Sequence, residues 1–184
     1  KFYIDKFYAC IFCEQYNELG ELEGFAKDYL EDGISCLDML ISDNTKFQNF
    51  ATKTFSISET DLDKFKVLYN PIKLDVSEIV NQCRIKYLTE KLDFKKLLWI
   101  GRLDEQKNIK LAFELAIAKP DIEIHIFGSK LIDNTEFGVI PKNIIFKGLT
   151  FDIPKTILSD NYSAFILTSK YEGLPNILIE CGYL

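Results

Sequence analysis

The sequence has no long hydrophobic run, no stripe of basic residues and a single histidine, His125. A membrane-spanning helix needs about 20 consecutive apolar residues, and none is present; no basic-then-apolar leader opens the chain. Without clustered Lys and Arg there is no basic stripe to neutralise a nucleic-acid backbone, so no nucleic-acid partner is expected. Gly-x-Gly-x-x-Gly and Gly-x4-Gly-Lys-Ser/Thr are both absent, which removes dinucleotide and Walker-type phosphate loops. The acidic residues lack the order of a calcium loop, and no metal or cofactor is expected. Cys10-Ile-Phe-Cys13 has redox or zinc spacing, but no second pair and no second histidine accompany it. Alternation along a strand explains that spacing as well. His125, among Ile122, Ile124 and Ile126, is read as a structural strand residue.

What remains is a chain of ordinary globular composition. Its 184 residues are 47% hydrophobic and 27% charged, long enough for one domain with a proper core. Five scattered cysteines, an odd number, favour reduced thiols in a cytosolic setting over a disulfide framework. Residues 1–60 hold 11 acidic against 5 basic residues, while 61–184 hold 17 of each. The whole net charge of −6 therefore lies in the first third. A phosphate ligand would have to be held by a few local cations rather than by a global field. The chain begins at Lys1 and ends within a helix pattern, and is read as a fragment of a longer protein.

Along the chain, Tyr8–Cys13 reads as a short buried strand, and 14–32 as an acidic helix with Leu19, Leu22, Phe25, Ala26, Tyr29 and Leu30 on its apolar side. Met39–Ser42 is a second strand. Asp43-Asn44-Thr45 suits the start of a helix running to about Phe50, and Lys53–Ser58 alternates as a third strand. Lys66–Tyr69 is a strand candidate ending at Pro71, which cannot continue a ladder. From Val76 the pattern is regular. Helices are expected over about 77–91, over 109–117 with Ile109, Ala112, Phe113, Ala116 and Ile117 on one face, and over 153–158, and strands over 96–100, 122–127, 143–146 and 163–168. Near-continuous apolar strands alternating with helices indicate α/β, a Rossmann-like parallel sheet with helices on both faces, connected by right-handed crossovers.

The stretch Ser169-Lys-Tyr-Glu-Gly-Leu-Pro-Asn-Ile-Leu-Ile-Glu180 follows the last strand candidate. Pro175 suits the first turn of a new helix, where its missing N–H costs nothing. Asn176 and Glu180, four apart, share a face of that helix. Gly173 permits close backbone approach, and the helix start offers N–H groups to an anion. Glu172, seven intervening residues and Glu180, with Gly173-Leu174-Pro175 between them, resemble the signature of retaining group 1 (family four) glycosyltransferases of GT-B fold. A second segment agrees: Gly101-Arg102-Leu103-Asp104-Glu105-Gln106-Lys107-Asn108 resembles that family's Gly-Arg-Leu-x-x-x-Lys-Gly, with Asn108 where Gly is common. Arg presents a planar fork to two phosphate oxygens and Lys adds a point charge, both beyond the carboxyl end of a parallel strand.

The resemblance implies a division into 1–65, the tail of an N-terminal acceptor-side lobe, and 66–184, a nucleotide-sugar-binding domain incomplete at its C-terminus. Asn70 and Asp75 stand near the family's inter-lobe turn, with Pro71 in place of its Gly. The implied activity is metal-independent transfer of a sugar, with retention, from a nucleoside-diphosphate sugar to a glycan or lipid-linked acceptor. Glu172, Arg102 and Lys107 would be catalytic. Gly101, Gly173, Leu174, Pro175, Asn176 and Glu180 would bind the donor, Glu180 at the ribose and Glu172 at the sugar hydroxyls. Catalysis would rest on fixed donors and cations around the departing diphosphate, each donor worth about 3 kcal/mol by analogy with oxyanion holes. The setting implied is cytoplasmic polysaccharide or glycolipid assembly, at the inner face of the membrane, with peripheral membrane contact through the missing lobe. A non-catalytic nucleotide-sugar-binding module of the same fold is the alternative.

Overall fold

A computed structural model describes residues 6–12, 15–17, 19–28, 30–31, 34–71, 77–89, 95–129 and 138–183 of the chain. It forms two compact units: Lys1–Pro71 with Tyr171–Pro175, and Ile72–Lys170 with Asn176–Leu184. Among the described residues no helix is long and apolar enough to cross a membrane.

The first unit begins with β1 (Tyr8–Ile11), β2 (Gln15–Tyr16), β3 (Leu22–Glu23) and α1 (Phe25–Asp28). It continues through β4 (Met39–Ser42), α2 (Thr45–Thr54), α3 (Glu59–Leu62) and β5 (Phe65–Val67). Strands β1, β4 and β5 form a parallel sheet with β4 in the centre. Ala9, Ile11, Leu40 and Phe65 of the sheet pack with Phe47 and Ala51 of α2. β1 is buried only on alternate residues, so Cys10 is exposed; Cys13 lies outside the described residues.

Among the described residues, the acidic helix expected over 14–32 is not formed as one helix. Asn17 Oδ1 accepts from the backbone N–H of Leu19 and of Glu21, both at 2.9 Å, and Gly20 takes a φ of 79°. That turn chemistry folds β2 onto β3 as an antiparallel pair, and α1 spans only four residues. Leu22, Ala26 and Leu30 are nonetheless buried, whereas Leu19 is 83% exposed; positions 14, 18, 29, 32 and 33 lie outside the described residues. The strand expected over Lys53–Ser58 is absent too. Asn44 caps α2 by accepting from Phe47 N–H at 2.7 Å, and the helix so nucleated runs on to Thr54. Ser58 then caps α3. The alternating Phe55 and Ile57 instead pack on the core from the connecting turn.

The second unit contains α4 (Ser77–Thr89), β6 (Lys96–Ile100), α5 (Ile109–Ala118), β7 (Glu123–Phe127), β8 (Ile144–Gly148), α6 (Ile153–Ser159), β9 (Ala164–Phe165) and α7 (Asn176–Tyr183). Its strands are all parallel, in the order β8-β7-β6-β9. Side-chain alternation along β6 explains the two covered faces. Trp99 joins Ile109, Ala112, Phe113 and Ala116 of α5 on one face. Leu98 joins Cys83 of α4 and Ile157 of α6 on the other. Burial of each such large apolar side chain contributes about 1.5–3 kcal/mol. Ile117, expected on the inner face of α5, is 68% exposed, because Ile109, Ala112, Phe113 and Ala116 already fill the stripe facing the sheet. β9 is shorter than the 163–168 strand expected, although Ile166 N–H still donates to Leu98 carbonyl oxygen at 2.8 Å. The chain is thus α/β, with a Rossmann-like parallel sheet carrying helices on both faces.

Candidate functional site

The order β8-β7-β6-β9 reverses direction at β6: successive strands are laid down to one side of it, and β9 then returns to the other. In open α/β sheets such a reversal opens a crevice beyond the carboxyl ends of the two strands that flank it. Gly101 and Arg102 leave β6 at this point, and residues 166–170 leave β9. Hydrogen bonds knit the two exits together. The buried Trp99 Nε1–H donates to Thr168 Oγ1 at 2.9 Å, and Thr168 Oγ1–H donates to the Lys107 carbonyl oxygen at 2.7 Å. Lys170 N–H donates to the Gln106 carbonyl oxygen at 2.8 Å, and Lys170 Nζ pairs with Glu105 Oε1 at 2.7 Å.

Between these bonds the 101–108 loop is closely determined. Asp104 Oδ1 accepts from Lys107 N–H at 2.9 Å, and Asn108 adopts a left-handed φ of 48° before α5 begins. That φ is the conformation for which the glycine of the resembled motif would be suited. Arg102 is exposed, with Nη2 3.2 Å from Asp104 Oδ2 and 3.0 Å from Gln106 Oε1. Such exposed pairs hold weakly, so the guanidinium can turn to an incoming anion at little cost. Gly101, Arg102, Phe127, Gly128, Leu149 and Thr150 line a cleft of about 250 Å³ beside this loop. Gly128 is required there, because a Cβ on it would collide with the Gly101 carbonyl oxygen.

The second predicted segment is divided between the units. Glu172, Gly173, Leu174 and Pro175 belong to the first, and Asn176 and Glu180 to the second, as do Gly101, Arg102 and Lys107. α7 begins at Asn176, so Pro175 stands just before the helix rather than in its first turn. Asn176 and Glu180 lie on α7 as the i,i+4 spacing requires, and burial pushes the half-buried Glu180 carboxyl above its ordinary range. Glu172 and Gly173 line a cleft of about 210 Å³ with Tyr16, Asn44, Lys46 and Phe47. The N–H of Leu174, expected to face an anionic ligand, donates instead to Asp43 Oδ2 at 2.8 Å.

No family model and no curated protein matches the sequence. Solved structures do resemble it. A crystal structure of TarM matches with a TM-score of 0.70 at 17% identity, over 96% of this chain and 34% of that one. Anabaena Alr3699/HepE in complex with UDP and glucose matches with a TM-score of 0.59 at 16% identity, over 86% of this chain and 47% of that one. A glycosyltransferase from Rickettsia africae ESF-5 gives 0.50 at 16% identity, over 85% and 43%. The chain shares their fold. It spans a third to a half of the length of those proteins.

Within that shared fold, other predicted features resolve as structure. His125 is buried, with Nδ1 3.0 Å from Tyr162 Oη and 3.3 Å from Asp160 Oδ2. Burial, then the charge of Lys147, lowers its pKa against the opposing pull of Asp160 and Glu123. Asp75, read near an inter-lobe turn, lies outside the described residues. Sequence reasoning missed Asp43 and Thr168. Asp43 showed only as part of a helix-start signal, and nothing local announces that its carboxylate meets a residue 131 positions away.

Proposed function

We propose that this chain is the donor-binding part of a retaining glycosyltransferase, which moves a sugar from a nucleoside-diphosphate sugar to a glycan or lipid-linked acceptor without a metal ion. The observation that carries the proposal is the crevice at the sheet reversal. There the Gly101-Arg102…Lys107 loop is held in place by Thr168 and Lys170. The fold is shared with a protein solved with UDP and glucose.

In this reading Arg102 and Lys107 hold the diphosphate, and Gly101 lets the backbone pass close to it. Charge grows on the leaving phosphate oxygen as the glycosidic bond breaks. A guanidinium and an ammonium already in place lower the barrier without solvent reorganisation. Glu180 takes the ribose hydroxyls. Glu172 takes the hydroxyls of the sugar, with Gly173, Leu174, Pro175 and Asn176 shaping the backbone around it. With two cations on the loop, phosphate charge needs no divalent partner, so activity should survive a chelator. Attack from the face of the departing diphosphate gives retention. The reaction belongs to cytoplasmic glycan or glycolipid assembly at the inner face of the membrane.

The test is transfer of radiolabelled sugar from uridine, guanosine and adenosine diphosphate sugars by the full-length protein, with and without EDTA. Arg102→Ala and Glu172→Gln should each lower kcat by about 100-fold or more, the scale of one lost transition-state contact. Full kcat in either variant would remove that residue from its role. Donor binding without turnover would instead make the protein a nucleotide-sugar-binding module.

A further inference from the structure

Asp43 is the one carboxylate among the described residues that is fully buried, at 1% exposure. Burying a charge is costly unless hydrogen bonds replace its water, and here they do. Oδ1 accepts from Asn44 Nδ2 and Oδ2 from the Leu174 backbone N–H, each at 2.8 Å. The residue also immediately precedes Asn44, the cap of α2, where a helix start favours negative charge. The neighbouring backbone is pressed onto this carboxylate. A Cβ on Gly173 would lie 2.5 Å from Oδ2 and 2.8 Å from Oδ1, and would also collide with the Phe12 carbonyl oxygen. Only a glycine fits, so the carboxylate and the loop determine each other's position.

We infer that Asp43 is the positioning residue for the Glu172–Leu174 loop. Glu172 is joined directly to Gly173, and both line the cleft shared with Tyr16, Asn44, Lys46 and Phe47. Two backbone positions are thereby fixed immediately beside the Glu172 side chain. The Leu174 N–H is committed to a protein carboxylate, so the anion held at this point of the loop is Asp43 itself. The inference rests on the transferase reading for its consequence in turnover, but not for the anchoring itself.

The experiment uses the full-length protein with Asp43→Ala and Asp43→Asn. Asn can still accept from Leu174 while giving up the bond from Asn44. Hydrogen–deuterium exchange mass spectrometry reads peptides covering 169–177, and glucose release from uridine, guanosine or adenosine diphosphate glucose reads turnover without an acceptor. Asp43→Ala should speed exchange at Leu174 by about tenfold or more, with a similar fall in kcat and little change in KM for the donor, as expected for loss of a charge-assisted hydrogen bond. Asp43→Asn should recover most of both. Unchanged exchange in Asp43→Ala overturns the anchoring. Faster exchange with unchanged kcat overturns the positioning role. Should wild-type protein turn over none of the three donors, a glucosyl donor and the positioning of its reaction both fail, while the exchange result still decides whether Asp43 anchors the loop.

Discussion

At the scale of single residues, close packing and burial decide more than side-chain chemistry does. Gly128 meets the Gly101 carbonyl oxygen so closely that no Cβ fits, whereas a Cβ on Gly182 in α7 would meet open space. Gly128→Ala must push the end of β6 aside and should cost about 1–3 kcal/mol by overpacking, read as a lower urea midpoint. Gly182→Ala should be neutral or stabilising by about 0.5–1 kcal/mol, since alanine favours the helix. His125 gives the residue scale its pH dependence. Burial, with Lys147, sets its folded pKa below the ordinary value, so the unfolded chain takes up this proton before the native one does. Stability from this site is present above about pH 6.5 and lost as pH falls through the window below it. Urea titrations at pH 7.5 and 5.5 should show a smaller acid-side loss in His125→Gln than in the wild type. Thiol exposure follows the same logic. Burial pushes the Cys181 thiol up to about 12, with the Glu180 charge adding to it, and Cys83 is buried. Iodoacetamide at pH 8 should label the exposed Cys10 and Cys36 in native protein and spare Cys83 and Cys181.

At the scale of elements, the bonds joining two strand exits carry the site. Thr168 Oγ1 receives the indole N–H of Trp99 and donates to the Lys107 carbonyl oxygen. Thr168→Val keeps the shape, strands a buried N–H, and should cost about 1–3 kcal/mol in urea unfolding. The elements themselves were readable where one force dominated. β6, α5 and β7 carry long apolar patterns bounded by Gly101 and Pro120, and the structure places them within a residue or two of the expected ends. Residues 14–32 were not readable, because the side chain of Asn17 outcompeted a weak helical periodicity in acidic sequence. Lys53–Ser58 misled in another way: its alternation was real, but the Asn44 cap had already committed the preceding residues to α2. Of the candidate site, the Gly101–Asn108 loop was readable, since its residues are contiguous and local turns hold it. The anchoring of Leu174 by Asp43 was not, since it joins positions 131 apart.

At the scale of the whole molecule, a parallel sheet with its order reversed at β6 presents a cation-bearing loop at the position where such sheets take ligands. Uneven charge suits that arrangement. The first sixty residues carry the net charge of −6, and the remainder is balanced, so donor phosphate would be drawn by local cations rather than by an overall field. The measurement that tests this most directly is calorimetric titration of UDP, GDP and ADP into full-length wild-type and Arg102→Ala protein. The account predicts that one of the three binds the wild type and that Arg102→Ala weakens it by about tenfold or more, the scale of a lost charge-assisted bond. Equal affinity in the two proteins, or no binding of any of the three, would contradict it.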